Sequence, residues 1–414
     1  MRERASHGMQ PRMDGSAARQ KPLERLRQLE ELGPNRVTGS ALEKQAQEKL
    51  GAELAALGFK LDWRKHWWTR SIYSGLMVHF GIAVLGTALF FRWPFVGAAL
   101  HLFAALSYYL EAMRITLLLR GMFPRIQSQN LLATLPAKTT MRRRLVTVAH
   151  ADAAFTGILF NPKLLTIATK PPPKGLGWFH KQLGVGTTSV AILGVLGLLN
   201  GLGVWTAPWW LISVLAIPST ITFLLNLDVV VRNTIVPGAA DNLSGCTASV
   251  ELAHRLAGTL PDDVELVIVI SGSEEAGTGG ACRMAQALEK SGEWKKEETF
   301  IIGIDTLCNG TLRYLEEGEM WAIPVPPKML AAIEATNAES EIKATKYVIP
   351  SGASDALPFL VRGWDTVCLS CIDPVIGAPR HYHSVSDTWS NIDERELESS
   401  IDYAEKFLRK LAVS

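Results

Sequence analysis

The sequence predicts an α/β fold that carries two transmembrane helical hairpins as insertions. Short apolar runs at residues 264–270 and 300–304 are typical of buried strands, and the pattern of residues 246–256 is typical of a helix. Four longer apolar stretches have the length and composition of membrane spans. A chain of 414 residues has room for one large domain with insertions or for two domains of ordinary size.

The composition excludes some classes of protein. Lys and Arg total 42 against 40 acidic residues, and the resulting net charge of +2 argues against a nucleic-acid binder. A mean hydropathy of +0.13 and twelve tryptophans are high for a soluble protein, so part of the chain is expected in a membrane. Five cysteines, an odd and sparse set, do not predict a secreted disulfide framework. Cys368 and Cys371 have CxxC spacing, but no second pair exists to complete a zinc site, so we assign them a structural or incidental role.

The N-terminal region predicts a tail followed by packing helices. Residues 1–22 are polar, charged and rich in small side chains, which indicates a disordered tail rather than a signal peptide. Residues 23–61 have a helical pattern with breaks at 33–35 and near residue 58. We expect these helices to pack against a sheet, and we assign them no chemistry.

The first pair of apolar stretches predicts a helical hairpin in the membrane. Residues 71–91 contain no Asp, Glu, Lys or Arg, and at about 1.5 Å per residue they reach across a hydrocarbon core of roughly 30 Å. The second stretch runs from residue 94 to about residue 119 and contains Glu111 and Arg114. These two residues are expected either to pair on one helix face or to lie at the membrane interface. The alternative is a helix pair buried in a large soluble core.

The second pair of apolar stretches is a stronger candidate for a transmembrane hairpin. Residues 185–204 and 207–227 contain no charged side chain. Gly203, Pro208 and three nearby tryptophans predict a short interfacial turn between them. Both hairpins begin and end beside the predicted sheet, so the even number of crossings leaves the rest of the chain on one side of the membrane.

The distribution of positive charge predicts which side that is. The far-side turns contain only one cation, Arg92. The segments that flank the hairpins on the side of the sheet are much more basic, with Arg64, Lys65, Arg70, Arg120, Arg125, Lys174, Lys181 and Arg232. By the positive-inside rule we predict a multi-pass integral membrane protein whose main domain is cytoplasmic.

A histidine and an aspartate follow the second of two predicted strands. Residues 129–135 and 144–149 are expected to pair, and His150 and Asp152 come directly after the second run. Open α/β sheets bind ligands at the carboxyl ends of their strands. If His150 bound a metal, Asp152 could accept a hydrogen bond from its other ring nitrogen and fix the orientation of the ring.

Further carboxylates lie in similar positions later in the chain. Asp241 stands among small residues just before the helical pattern, where a backbone can approach a ligand closely. Glu274 and Glu275 follow the strand at 264–270, and two adjacent carboxylates there are costly unless a cation or a proton neutralises them. Asp305 closes the strand at 300–304. With His150 and either His381 or His383, these side chains form a ligand set for two divalent metals.

The order of these motifs resembles metallopeptidase family 28. The motifs are H-x-D, G-x-x-D-N-x-S-G, E-E, I-D and Y-H-S-x-x-D-T, in that order. The family comprises co-catalytic zinc exopeptidases, among them secreted leucyl aminopeptidases and glutamate carboxypeptidase. The resemblance extends from about residue 32 to the C-terminus and is interrupted by the two hairpins. It implies a three-layer α/β sandwich with a mostly parallel central sheet.

The resemblance also implies a role for each site residue. Asp241 matches the bridging ligand, with Glu275 and His383 completing one zinc site. His150 and Asp305 would complete the other site, and the Y-H-S pattern selects His383 over His381. Glu274 matches the general base that takes a proton from the attacking water and passes it to the leaving amine.

Two further features of the family have counterparts here. The peptide bond after the bridging aspartate is cis in the family, which places Asn242 after a cis bond in this chain. Residues 354–359 resemble a segment that lies near the substrate cleft.

We therefore expect a membrane-anchored dinuclear zinc exopeptidase that acts on peptides, more specifically an aminopeptidase. One alternative is a glutaminyl cyclase-like acyltransferase, which shares the fold but typically binds one zinc. Another is a catalytically silent binding module. The expected organisation is a tail (1–22), the start of the peptidase domain (23–70), a hairpin (71–119), peptidase domain (120–182), a second hairpin (183–231) and the remainder of the peptidase domain (232–414).

Overall fold

A computed structural model describes residues 20–414 of the chain, so the tail predicted for residues 1–22 lies almost entirely outside the described residues. The helices of the described part are α1 (Pro22–Glu30), α2 (Ala41–Ala56), α3 (Ile72–Leu89), α4 (Pro94–Ala112), α5 (Pro162–Ala168), α6 (Gln182–Gly201), α7 (Trp209–Arg232), α8 (Gly245–Leu256), α9 (Gly279–Ser291), α10 (Pro327–Glu339), α11 (Leu357–Leu360) and α12 (Glu394–Val413). The strands are β1 (Lys60–Thr69), β2 (Arg125–Leu135), β3 (Arg143–His150), β4 (Phe155–Thr156), β5 (Thr234–Ile235), β6 (Val264–Ser271), β7 (Thr299–Ile304), β8 (Thr311–Glu316), β9 (Thr345–Val348) and β10 (Asp365–Ile372).

The centre of the fold is an eight-stranded sheet with the strand order β1-β2-β6-β3-β7-β10-β8-β9. The four middle strands, β6, β3, β7 and β10, run parallel to one another. Antiparallel pairs connect β1 to β2, β2 to β6 and β8 to β10. The predicted α/β fold with a mostly parallel central sheet is confirmed.

The predicted pairing of residues 129–135 with residues 144–149 is wrong. These runs form β2 and β3, but β6 lies between them and pairs with both. The connection between β2 and β3 is held at the start of β6, where the amides of Lys138 and Arg142 donate to the carbonyls of Asp262 and Asp263. The short connection between the two runs suggested a hairpin. In the structure the connection instead passes over the end of β6, a strand that comes more than a hundred residues later in the chain.

Helices cover both faces of the sheet and make the fold a three-layer sandwich. On one face α1, α2, α8, α10 and α12 enclose the larger core, in which Leu50, Leu252 and Phe407 are fully buried. On the other face α9 and α11 pack with Trp294 and Trp364 over the sheet. Burial of these apolar side chains is the main favourable term for the fold.

The N-terminal region and the two cysteines of β10 can be compared with their predictions. The helical pattern predicted for residues 23–61 is confirmed as α1 and α2, but β1, an edge strand rich in lysine and arginine, was not predicted. Charged side chains on an edge strand discourage pairing with other chains. Cys368 and Cys371 are buried free thiols in β10 that belong to two separate hydrophobic clusters, as expected for residues on opposite faces of a strand.

The two hairpins pack together as a bundle of α3, α4, α6 and α7. Each of these helices has the length and apolar composition needed to cross a membrane. The approach of α3 to α4 depends on glycine, because a Cβ added at Gly97 would lie 2.7 Å from the carbonyl oxygen of Gly86. The second predicted span is shorter than expected, since α4 ends at Ala112 and not near residue 119.

Glu111 and Arg114 do not pair with each other on one helix face, which was the first of the two predicted arrangements. The Glu111 carboxylate pairs with Arg120 at 2.9 Å, and the Arg114 guanidinium pairs with Glu319 at 2.8 Å. All four side chains are buried. Because α4 ends before Arg114, the spacing of three positions no longer places both side chains on one helix face. Each pair instead connects the bundle or its flanks to the α/β domain.

Candidate active site

The predicted site residues converge at the carboxyl edge of the parallel strands. His150 is the last residue of β3 and is in register with Ser271, the last residue of β6. Glu274 and Glu275 follow β6 after a short turn, and Asp305 follows β7 directly. Parallel pairing thus brings side chains from three chain segments to one point, as in other open α/β sheets.

Asp241 lies between the two predicted histidine ligands. Its Oδ1 is 3.3 Å from Nε2 of His150, and its Oδ2 is 3.1 Å from Nε2 of His383. One carboxylate oxygen therefore faces each ring, which is the arrangement needed for a ligand that bridges two ions. His381 lies outside this cluster and contacts Ser386 instead, so the geometry selects His383.

Among the described residues, three groups of side chains have ligand atoms within 4.8 Å of one another. Two of these groups share Asp241. The groups are His150 with Asp241 and Asp305, Asp241 with Glu275 and His383, and His150 with Glu274 and Glu275. Buried imidazole and carboxylate donors in this number suit zinc. His150 Nε2 and Glu275 Oε1 are both buried and make no well-aligned hydrogen bond to the described residues; their close polar neighbours are other members of these groups, which is the arrangement expected around a metal ion.

The electrostatics of the carboxylates also favour a bound cation. Burial raises the pKa of Asp305 to about 7 and raises the pKa of Glu274 and of Glu275 above their ordinary value. Neighbouring carboxylates add to the rise. Burial also opposes ionisation of Asp241, but the adjacent rings of His150 and His383 outweigh it and lower the pKa of Asp241.

The histidines show the complementary effect. Burial disfavours their charged form, yet Glu275 and Asp241 together raise the pKa of His383 to about 10. Glu274, Asp152 and Asp241 likewise raise the pKa of His150 well above its ordinary value. Without a metal the cluster therefore retains protons to balance its charge, and a divalent cation would replace them.

The Asp152 carboxylate was expected to hydrogen-bond the His150 ring, but it binds the backbone of the glutamate pair instead. His150 Nδ1 donates to the main-chain carbonyl of Asp152 at 3.1 Å, whereas the nearer carboxylate oxygen of Asp152 lies 3.6 Å away. The Asp152 carboxylate accepts instead from the backbone amides of Glu274 and Glu275, both at 3.0 Å. Asp152 therefore connects the segment after β3 to the glutamate pair.

The loop that carries Asp241 is held by a second aspartate and by an asparagine. Asp387 accepts hydrogen bonds from the amides of Ala240 and Asp241. Asn242 donates to the carbonyl of Ile304, next to Asp305. The peptide bond between Asp241 and Asn242 is cis, as the resemblance implied.

Tyr73, the second residue of α3, contacts a predicted metal ligand and was not predicted at the site. The Tyr73 hydroxyl and Nδ1 of His383 share a hydrogen bond of 3.0 Å, while Nε2 of the same ring faces the carboxylates. Phe160, in the turn Ile158–Phe160, packs against the same ring at 4.3 Å between centroids. A tyrosine at the start of an apolar stretch predicts only a membrane interface, so no sequence signal pointed to this contact.

A cavity of about 100 Å³ lies in front of these residues. Its walls include predicted ligands, Glu274, Gly352 and Ala353, as well as Ile72 and Tyr73 from the first span. The cavity therefore borders residues 354–359, the segment that resembles one near the substrate cleft in the family. Asp355 of that segment is buried behind the cavity and accepts a hydrogen bond from Ser271.

The buried pair of Arg114 and Glu319 also faces this cavity. Arg114 donates to Thr278, and Glu319 accepts a further hydrogen bond from the Tyr108 hydroxyl at 2.6 Å. Neither residue was predicted at the site, because the two partners are 205 residues apart and neither belongs to a motif.

The fold is similar to that of several solved structures. An aminopeptidase from Aneurinibacillus sp. strain AM-1 aligns with a TM-score of 0.55 at 14% identity, covering 94% of this chain and 92% of that chain. A glutaminyl cyclase from Fimbriiglobus ruber aligns with a TM-score of 0.54 at 14% identity, covering 94% of each chain. A Zn-dependent exopeptidase from Parabacteroides distasonis aligns with a TM-score of 0.51 at 13% identity, covering 95% of this chain and 96% of that chain. At these identities the likeness establishes the fold alone.

Comparison of sequences gives one family match, which covers part of the chain. No curated protein matches the chain. The model of peptidase family M28 matches residues 221–408, which include every predicted ligand except His150. Residues 221–408 therefore match peptidase family M28, and β3 brings His150, which lies outside the matched range, to the same point as the matched ligands.

Proposed function

We propose that the protein is a dinuclear zinc exopeptidase, and more specifically an aminopeptidase that removes N-terminal residues from peptides. The observation that carries this proposal is the sharing of Asp241 by two groups of ligands. His150 and Asp305 would hold one ion together with Asp241, and Glu275 and His383 would hold the other. A single-zinc site would leave one of these groups of buried donors without a partner.

The protein's own residues then have distinct tasks. Zinc, when bound, would polarise the scissile carbonyl and make hydroxide available near neutral pH. Glu274 lines the cavity and would take the proton of the attacking water and hand it to the leaving amine. Asp152 holds the amide of Glu274, and Tyr73 holds the ring of His383. Both contacts keep the reacting groups in place before the substrate arrives.

Metal analysis combined with a panel of reporters tests the proposal. Purified full-length protein should contain close to two zinc ions per chain and should hydrolyse aminoacyl reporters with a free amine. The same reporters with a blocked amine should be cleaved much more slowly. One zinc ion per chain with cyclisation of N-terminal glutamine would support the glutaminyl cyclase alternative. Absence of both metal and activity would leave the binding module.

We further propose that α3, α4, α6 and α7 anchor the α/β domain on the cytoplasmic side of a membrane. The basis is the apolar composition of the four helices and the excess of lysine and arginine on the side of the domain. Tags inserted between α6 and α7 and at the C-terminus should be accessible from opposite sides of the membrane, the C-terminal tag from the cytoplasm. Accessibility of both tags from one side would exclude the second hairpin as a membrane crossing.

A further inference from the structure

The segment that precedes α6 has the composition of a membrane-surface element. We name residues 161–181 the interfacial segment. No acidic residue occurs anywhere from residue 153 to residue 227. Three lysines of the interfacial segment are exposed, and so are five large apolar side chains: Lys163, Lys170, Lys174, Leu164, Ile167, Leu176, Trp178 and Phe179. Exposed apolar and aromatic side chains with interspersed lysines match the headgroup region of an anionic bilayer.

The interfacial segment is fixed to the α/β domain. Thr169 donates to the carbonyl of Ile376 at 2.9 Å, and His180 donates to the carbonyl of Val348 at 3.1 Å. Lys181 is buried and donates to the carbonyl of Ile349. The segment is therefore held in place, and the rest of the described residues leaves its apolar side chains uncovered.

The interfacial segment connects the surroundings of the His383 ring to the first helix of the second hairpin. It begins just after Phe160, which packs on the ring of His383. It ends at Lys181, and α6, one of the four candidate spans, begins at the next residue. The segment therefore occupies the region between the catalytic cavity and the membrane end of the bundle.

The first span enters the bundle directly from the cavity. Ile72 and Tyr73 are the first two residues of α3, and both line the cavity together with Asp241 and Glu274. A span that begins at the cavity places the cavity close to the depth at which hydrocarbon gives way to headgroups.

From these observations we propose that the catalytic cavity is held at the surface of an anionic bilayer by the interfacial segment, and that the substrates are peptides held on that surface. This inference rests on the proposed peptidase function and names its substrate class. A peptide anchored in the same bilayer reaches the cavity at a high effective concentration, whereas a soluble peptide does not.

Position is tested with a fluorescent label in the full-length protein reconstituted in vesicles that contain anionic lipid. The cysteines of the described residues are all buried, so Ile167→Cys can be labelled selectively with an environment-sensitive dye. A lipid carrying a quencher near its headgroup should quench this label. The matched control is Val413→Cys, because Val413 is also highly exposed but lies far from the proposed membrane surface. The next residue, Ser414, accepts a hydrogen bond from Arg143, and Arg143 is at the opposite end of β3 from His150. Equal quenching at both positions, or none at either, would overturn the proposed position.

Substrate class is tested with one reporter peptide in two forms, soluble and carrying a C-terminal acyl anchor. In the same vesicles the anchored form should be hydrolysed at least about tenfold faster, and its rate should fall when extra lipid dilutes it on the surface. Exchange of Ile167 and Phe179 for Ser should reduce this preference and leave hydrolysis of the soluble form unchanged, and Val413→Ser should change neither rate.

The outcomes separate this inference from the proposed function. Hydrolysis of both forms at equal rates would overturn the inference and leave the peptidase function intact. Hydrolysis of neither form by zinc-loaded protein would overturn the peptidase function and the inference with it. A preference for the anchored form that survives the double substitution would overturn the role of the interfacial segment.

Discussion

Replacing Glu274 by Gln should lower the rate of peptide hydrolysis by a factor of about 10²–10⁴ and leave the zinc content unchanged. The amide has nearly the shape of the carboxylate but cannot accept the proton of the attacking water. The backbone of Glu274 should stay in place, because its amide donates to Asp152 and this bond does not involve the side chain. The measurement is the rate constant for an aminoacyl reporter, together with zinc per chain by elemental analysis.

The neighbouring glutamate provides the matched control. Glu275→Gln alters the same kind of side chain one position further on, where Oε1 lies 3.4 Å from Nε2 of His383. This change should lower zinc content as well as activity, because it removes a charged ligand. Zinc content thus distinguishes the two roles, because it should stay unchanged when the general base is replaced and should fall when a ligand is replaced. Full activity of Glu274→Gln, or loss of zinc from it, would refute the role assigned to Glu274.

The features of the site that the sequence predicted are those encoded locally. A buried strand followed closely by a polar side chain indicates a ligand at the sheet edge, and this pattern led to the choice of His150, Glu275 and Asp305, which the structure brings together. Asp241 could be predicted because small residues surround it, and the histidine was chosen by the pattern around His383. Each of these signals lies within a few neighbouring positions of the chain.

The features that the sequence did not predict depend on contacts between distant segments. Tyr73 and His383 are 310 residues apart, and the start of an apolar span gave no reason to connect them. The position of β6 between β2 and β3 likewise depends on tertiary packing, since either order satisfies the same strand patterns. Local pattern specifies which side chains are placed at strand ends, but not which strands become neighbours.

The opening helices illustrate the same limit. They were expected only to pack, yet the buried carboxylate of Glu43 accepts from the amide of Ser273, next to the glutamate pair. Arg36, also buried, donates to the carbonyls of Ala151 and Pro237. These two side chains therefore connect the segments that carry His150, Asp241 and Glu274. Because each is an ordinary charged residue in sequence, only the fold reveals that it supports the site.

Removing zinc should destabilise the α/β domain, and the loss should be larger at pH 8 than at pH 5.5. At a free zinc concentration of about a thousand times the Kd, binding stabilises the folded state by about 4 kcal/mol. Without zinc, the folded state retains protons that the unfolded chain has released. Asp305, with a pKa of about 7, does so from about pH 4 upward, and His383, with a pKa of about 10, does so above its ordinary value of 6.5. A folded state that binds more protons than the unfolded state loses stability as pH rises.

Both groups therefore act in the same direction between pH 5.5 and pH 8, while zinc binding strengthens over this range because the ligands must be deprotonated. The measurement is the difference in thermal midpoint between zinc-loaded and chelator-treated protein at the two pH values. Asp241→Asn, which removes the charge of the shared ligand, should make this difference small at both. Glu293→Gln, in an exposed ion pair with Arg64, should leave it unchanged. A difference that is equal at both pH values, or larger at pH 5.5, would show that the buried carboxylates and histidines do not hold the ions.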